Sequence, residues 1–288
     1  MTMAVQQIPF LYSYTGGMTP ETLEVFWLRV DGVADYVTGN SWPQQPPFDE
    51  IGHYRSALST EDRQALFRLV QETQRELPSD ATARSLDAGM EFFRACLDEK
   101  IIEAAWSPSR SPAQYQLLSR QTRRLIAQTR DMPLRTLRVS FVSLKGGDQV
   151  GLMLQNRGRE PFVFYDAQWA DETLRIQVRV RAVNLEADRQ SSPPNPLLLA
   201  HLKPLSVLNA SDWRPDTNGE ISLNPGTTSC VEINSQTLGP RSTSILEGLV
   251  RISFWRETPE GDRLREQGWA LPVPLKFGFG MEAEKTAA

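Results

Sequence analysis

Two histidines, His53 and His201, and two cysteines, Cys96 and Cys230, occur in this chain of 288 residues. They are its whole supply of the side chains that most readily ligate transition metals or move protons near neutral pH. Neither histidine has another histidine nearby, and neither cysteine belongs to a spaced pair. No Cys/His metal set and no nucleophilic triad can be assembled from local motifs, so no metal and no cofactor is expected. His53 lies in Asp49-Glu50-Ile51-Gly52-His53-Tyr54 beside two carboxylates, and a histidine–carboxylate pair can do acid–base work. No nucleophile motif accompanies it, and it reads as a loop or core residue. His201 is expected to pack within Leu197–Leu202. Cys96, between Ala95 and Leu97, is expected in a strand as a buried free thiol, and Cys230 lies too far along the chain for a disulfide to be expected. Chemistry by carboxylates alone remains open. Asp49, Glu50, Asp87 and Glu91 are the candidates, and two acids suffice for glycoside cleavage if their spacing and pKa values differ suitably.

The elements that would position these groups fall into two regimes. Up to Pro133, strands alternate with helices. Ile8–Tyr14 and Leu23–Val30 are β-prone, and Asp31-Gly32 is a hairpin dipeptide leading to Val33–Thr38. Trp42–Phe48 carries Pro43, Pro46 and Pro47 and must be a loop. Ser59-Thr60-Glu61-Asp62 opens a helix with a hydroxyl cap and first-turn carboxylates. Met90–Leu97 and Ile101–Trp106 are strands, and Ser111-Pro112 starts a second helix that ends before Pro133. Beyond Leu134 the period becomes two. Leu137, Val139 and Phe141 alternate with polar residues, as do Ile176, Val178 and Val180, and Val250, Ile252 and Phe254. Turn signals stand between such runs, at Asn156-Arg157-Gly158, Asn218-Gly219 and Pro259–Asp262. Asp216–Glu220 has alternating oxygen ligands but no closing glutamate, so it reads as a hairpin turn, not a calcium loop.

This pattern predicts an α+β chain. A small N-terminal α+β domain over 1–133, an antiparallel sheet with two helices, precedes an all-β immunoglobulin-like sandwich over 134–280, with 281–288 a disordered tail. The domain boundary is expected between Arg130 and Leu137.

Composition narrows the partners. Apolar residues make up 40% and charged residues 23%, as in globular domains, and the net charge is −4. Up to Pro133 there are 13 Lys+Arg against 17 Asp+Glu, and beyond it 18 against 18, so neither part has the basic excess of a nucleic-acid binder. Met1–Phe10 lacks a basic stretch followed by an apolar core, and no apolar run is long enough to span a bilayer. A cytoplasmic protein without membrane or nucleic-acid partners is expected. Arginine outnumbers lysine, and its guanidinium suits protein interfaces. If the strand near Val178 turns its apolar residues inward, period two puts Arg175, Arg179 and Arg181 together on the outer face. With Trp42 and Phe48 of the proline-bearing loop, they are the expected partner-binding residues.

The order Phe10…Tyr14-Thr15-Gly16-Gly17, a strand, a loop to Leu58-Ser59…Asp62 opening a helix, paired strands and the helix at Pro112 resembles emfourin-type bacterial proteins over residues 8–130. Those proteins inhibit thermolysin-like metalloproteases. This chain is longer between strand and helix and carries a second helix, and no inhibitory residue is carried over. Its layout is also similar in kind to immunity proteins of bacterial toxin systems. The resemblance implies a non-catalytic bacterial protein that binds and neutralises another protein, a toxin or hydrolase. A carboxylate-dependent hydrolase and a carbohydrate-binding or adhesion sandwich module are the alternatives.

Overall fold

The computed structural model describes residues 8–15, 23–39, 50–74, 89–97, 100–106, 113–144, 149–165, 176–184, 203–205, 207–209, 215–233, 244–270 and 275–277. Among the described residues, two antiparallel sheets and two helices make up the fold. The first sheet has ten strands, β1 (Phe10–Thr15), β2 (Leu23–Leu28), β3 (Val33–Thr38), β4 (Glu50–Ala57), β5 (Met90–Leu97), β6 (Lys100–Trp106), β7 (Pro133–Leu144), β8 (Gln149–Asn156), β12 (Val207–Asn209) and β14 (Thr228–Ile233). Their spatial order is β12-β14-β8-β7-β4-β3-β2-β1-β5-β6. The second sheet contains β9 (Phe162–Tyr165), β10 (Gln177–Asn184), β11 (Lys203–Leu205), β13 (Glu220–Leu223) and β15 (Ser244–Glu257) in the order β11-β10-β15-β9-β13. In addition, β16 (Arg263–Ala270) and β17 (Leu275–Phe277) pair with β15.

Local chemistry accounts for the strand connections that are described. At the β2–β3 turn Gly32 adopts φ +84°, and the Asp31 carboxylate accepts the Val33 N–H at 3.0 Å, so the dipeptide turns the chain and caps it. Helix α1 (Thr60–Gln74) starts as expected: Ser59 Oγ accepts the Asp62 N–H at 3.0 Å. Helix α2 (Ala113–Arg130) lies beside it, joined by an Arg124–Asp62 ion pair.

The two faces of the large sheet are covered differently. Both helices pack on one face, over Phe10, Tyr12, Phe26, Tyr36, Tyr54 and Phe93, all at most 1% exposed. The second sheet covers the other face around β7 and β8. Ile51, Leu137, Val139 and Phe141 there meet Val178, Val180, Val250, Ile252 and Phe254. Each such side chain contributes about 1.5–3 kcal/mol by leaving water, so this shared core couples the sheets strongly.

The expected boundary between Arg130 and Leu137 coincides with the turn from α2 into β7. Across it, β4 and β7 are hydrogen-bonded neighbours, with Ile51 opposite Leu137. Gly52 allows this approach: it adopts φ +126°, and a Cβ there would stand 2.1 Å from the Arg135 carbonyl oxygen. The register between these strands shifts just beyond it, between His53 and Tyr54.

Candidate functional site

Of the expected partner-binding residues, Trp42, Phe48 and Arg175 lie outside the described residues, as do His201, Asp49, Asp87 and the 281–288 tail. Arg179 and Arg181 are on β10, and only the Arg179 side chain is described. Val178 and Val180 are buried in the core, so the alternation turns Arg179 to the outer face, where it is half-buried. The register continues this face sideways. Arg179 stands opposite Leu249, Gln177 opposite Arg251, and Trp255 opposite Arg265.

At the β15–β16 end of this face, arginines and aromatic rings stack alternately. The Arg263 guanidinium lies 4.7 Å from the centre of the Trp255 ring. That of Arg265 lies 4.7 Å from the Tyr165 ring and 5.6 Å from Trp255, and the two rings are 6.2 Å apart. Arg265 Nε donates to the Tyr165 hydroxyl oxygen at 3.1 Å, and Trp255 Nε1 donates to Glu220 Oε1 at 2.5 Å. Each stacked pair contributes about 0.5–1 kcal/mol at an exposed site. The rings hold two long side chains in place while Arg263 and Arg265 remain exposed. Sequence reasoning missed these residues, although a signal existed. A turn centred on Glu260 places Trp255 opposite Arg265 by simple counting.

Behind this end lies a charge network. Asp35, fully buried, accepts from Arg29 Nε at 2.6 Å, Arg55 Nε at 2.6 Å and His53 Nε2 at 2.7 Å. Glu257, at the end of β15, accepts from Arg55 at 2.8 Å and Arg135 at 3.0 Å, and Arg135 also pairs with Glu160. Burial pushes the Asp35 carboxyl up, but its bonds to His53 and Arg55 outweigh burial and hold it below the usual carboxylate range. Glu257 behaves alike, burial being outweighed by Arg135, Arg55 and His53. His53, expected in a loop or the core, thus sits buried on β4 against Trp27, 5.6 Å between ring centres.

The two described carboxylate candidates, Glu50 and Glu91, are not brought together. Glu50 is on β4 and pairs with Arg157, whereas Glu91 is on β5, four strands away, or roughly 19 Å at the usual strand spacing. Glu91 anchors α2 to the sheet. Its carboxylate accepts from Tyr12 at 2.9 Å, Trp106 at 2.8 Å, Ser119 at 2.6 Å and Arg123 at 2.7 Å. Burial raises its pKa, and the Ser119, Arg123 and Tyr12 donors more than reverse this, so it stays ionised. With each oxygen taking two donors, little of its lone-pair capacity is left to take up a proton from a substrate. Glu24, which sequence reasoning passed over, shows the opposite balance. Burial raises its pKa, and Arg130 and Arg123 offset that only in part. Glu24, Tyr14, Glu91 and Trp106 form one cross-strand row over β2, β1, β5 and β6.

Among the described residues no group of three or more His, Cys, Asp or Glu could hold a metal ion, and no helix is long and apolar enough to cross a membrane. Neither Cys96 nor Cys230 is in a disulfide, and Cys96 lies on the expected strand, β5; both are only partly buried, not the buried thiols expected. Compared with known proteins, the chain matches no family model and no curated protein.

Proposed function

We propose that this chain is a non-catalytic bacterial protein of the cytoplasm that binds another protein through the outer face of its second sheet, as an inhibitor or immunity protein neutralising a toxin or hydrolase. In this reading residues 1–133 form a unit that supports an immunoglobulin-like sandwich over 134–280. The observation that carries it is the stack of Arg263, Trp255, Arg265 and Tyr165, on the same sheet face as Arg251 and Arg179. Guanidinium groups already ordered on rings lose little rotamer freedom on binding and still offer edges for bidentate bonds to carboxylates. Arginine and tryptophan are also the residues that dominate binding energy at protein interfaces. The filled Glu91 carboxylate and the separation of Glu50 from Glu91 support the non-catalytic side.

Chemical crosslinking in a lysate of the source organism tests the proposal, comparing the wild-type chain with the Arg263→Glu/Arg265→Glu double variant. A stoichiometric protein retained by the first and lost by the second, at equal thermal stability, is the expected result. Equal retention by both, or no stoichiometric protein with either, overturns it.

A further inference from the structure

The last strand of an open sheet presents a row of main-chain N–H and C=O groups to whatever lies beside it, so natural edges are kept short or carry charge or proline. Three of the four sheet ends here obey that rule by length. β12 and β11 have three residues each and β13 has four. The eight-residue β16, which pairs with β15, carries Arg263, Arg265 and Glu266. The remaining end, β6, is different. It has seven residues, no proline, and Glu103 as the one charge between its two ends. Among the described residues it pairs with β5 alone, in unbroken register from Lys100 opposite Leu97 to Trp106 opposite Glu91.

The side chains along this edge are sorted by face. Ile102, Ala104 and Trp106 are buried in the core beneath the helices. On the opposite face Glu103 is exposed and Ile101 is 56% exposed, with Ala105 half-buried. An isoleucine so exposed on a long strand edge is the feature that natural edges avoid.

The strand also matches its own reverse. A two-fold axis perpendicular to the sheet at Glu103 runs two copies of β6 antiparallel, with every residue on its own face. Ile101 then stands opposite Ala105 of the second copy and Ile102 opposite Ala104, large beside small, and Lys100 meets Trp106, a cation beside a ring. The two Glu103 carboxylates oppose each other, but Arg94 stands 3.4 Å from Glu103 within each copy and offsets that charge. Moving the axis to Ile102 or Ala104 gives up two of the seven pairs. An unrelated extended segment has no such match of sizes built in.

We propose that the chain forms a two-fold dimer in which β6 pairs antiparallel with β6 of a second copy, Glu103 on the axis, joining the two ten-stranded sheets edge to edge. The contact is isologous, so it closes at two copies and uses up the one long unguarded edge. This inference does not rest on the function proposed above.

Sedimentation equilibrium of the full-length chain from about 1 µM to about 300 µM tests it, the range in which a small interface associates. The mass should rise towards twice that of the chain. A chain that stays monomeric throughout, or assembles beyond two copies, overturns the proposal. Residue-resolved hydrogen exchange on the wild type locates the contact. Every second amide of Lys100–Trp106, those not donating to β5, should exchange about tenfold or more slowly at the dimeric end of the series. Dimers that leave these amides unchanged are held through another surface and overturn β6 as the contact. Ile101→Lys should weaken the dimer by about tenfold or more at an unchanged melting temperature, because a lysine guards the edge. A variant that dimerises as well as wild type overturns the proposal. Glu103→Gln should tighten the dimer about two- to fivefold by removing the like-charge pair on the axis. Equal or weaker dimerisation overturns the register.

Discussion

Arg55 on β4 donates to the Glu257 carboxylate at 2.8 Å, although 202 positions of sequence separate them. The same guanidinium bonds Asp35 through Nε, so one side chain ties the helix-bearing part of the large sheet to the tip of the second sheet. With β4 and β7 paired directly, this bond makes the two sheets depend on one another, and the network around it leads to the first expectation.

Asp35→Ala should destabilise the chain by about 3–5 kcal/mol, because Arg29, Arg55 and His53 would lose a fully buried acceptor. The arginines are partly exposed and can turn to water, which favours the lower end. Urea unfolding followed by far-ultraviolet and near-ultraviolet circular dichroism should show one shared, shifted transition. Two separate transitions would mean that the sheets unfold independently.

Acid should destabilise the fold through Asp35, Glu91 and Glu257, whose carboxyls are all held below their ordinary range. A group with a depressed folded-state pKa contributes stability that is fully present above its unfolded value, about 3.9 for Asp and 4.3 for Glu, and lost as pH falls through the folded value. Stability should therefore hold from neutral pH down to about pH 5 and drop steeply below about pH 4. Glu257→Gln should lower stability at pH 7 and make the acid limb shallower. An unchanged limb would remove Glu257 from this account.

Glu24 should act with the opposite sign. Its raised pKa means that the folded chain binds the proton better than the unfolded chain does, so its charge costs stability as pH rises through the range above about 4.3. Glu24→Gln should raise the melting temperature at pH 7, and this gain should vanish near pH 4. A loss of stability at pH 7 would mean that the attraction of Arg130 and Arg123 outweighs burial.

Ser59→Ala should cost about 1 kcal/mol, because the Asp62 N–H would lose its acceptor at the start of α1. Chemical denaturation measures this directly. Thr60 is the first helical residue, and Thr60→Ala should be close to neutral.

Much of the local structure was legible in the residues themselves. Asp31-Gly32 and Asp216–Glu220 form the expected turns, with the Asp216 carboxylate accepting the Asn218 and Glu220 N–H groups. Ser59 caps the expected helix, and the period-two runs at Leu137–Phe141 and Val250–Phe254 turn their apolar residues to the core. These features rest on backbone sterics and neighbours within a few positions, which a sequence displays directly. The outward position of Arg179 followed from the same periodicity. Tertiary structure alone decided that β7 joins β4, that Glu91 collects donors from β1, β6 and α2, and that Arg55 finds Glu257. It also decided that β9 pairs with β13 along its length and meets β15 at Phe164 and Phe254. Those outcomes depend on which strands become neighbours across long loops, a choice made by burying whole apolar faces together and not by any short motif.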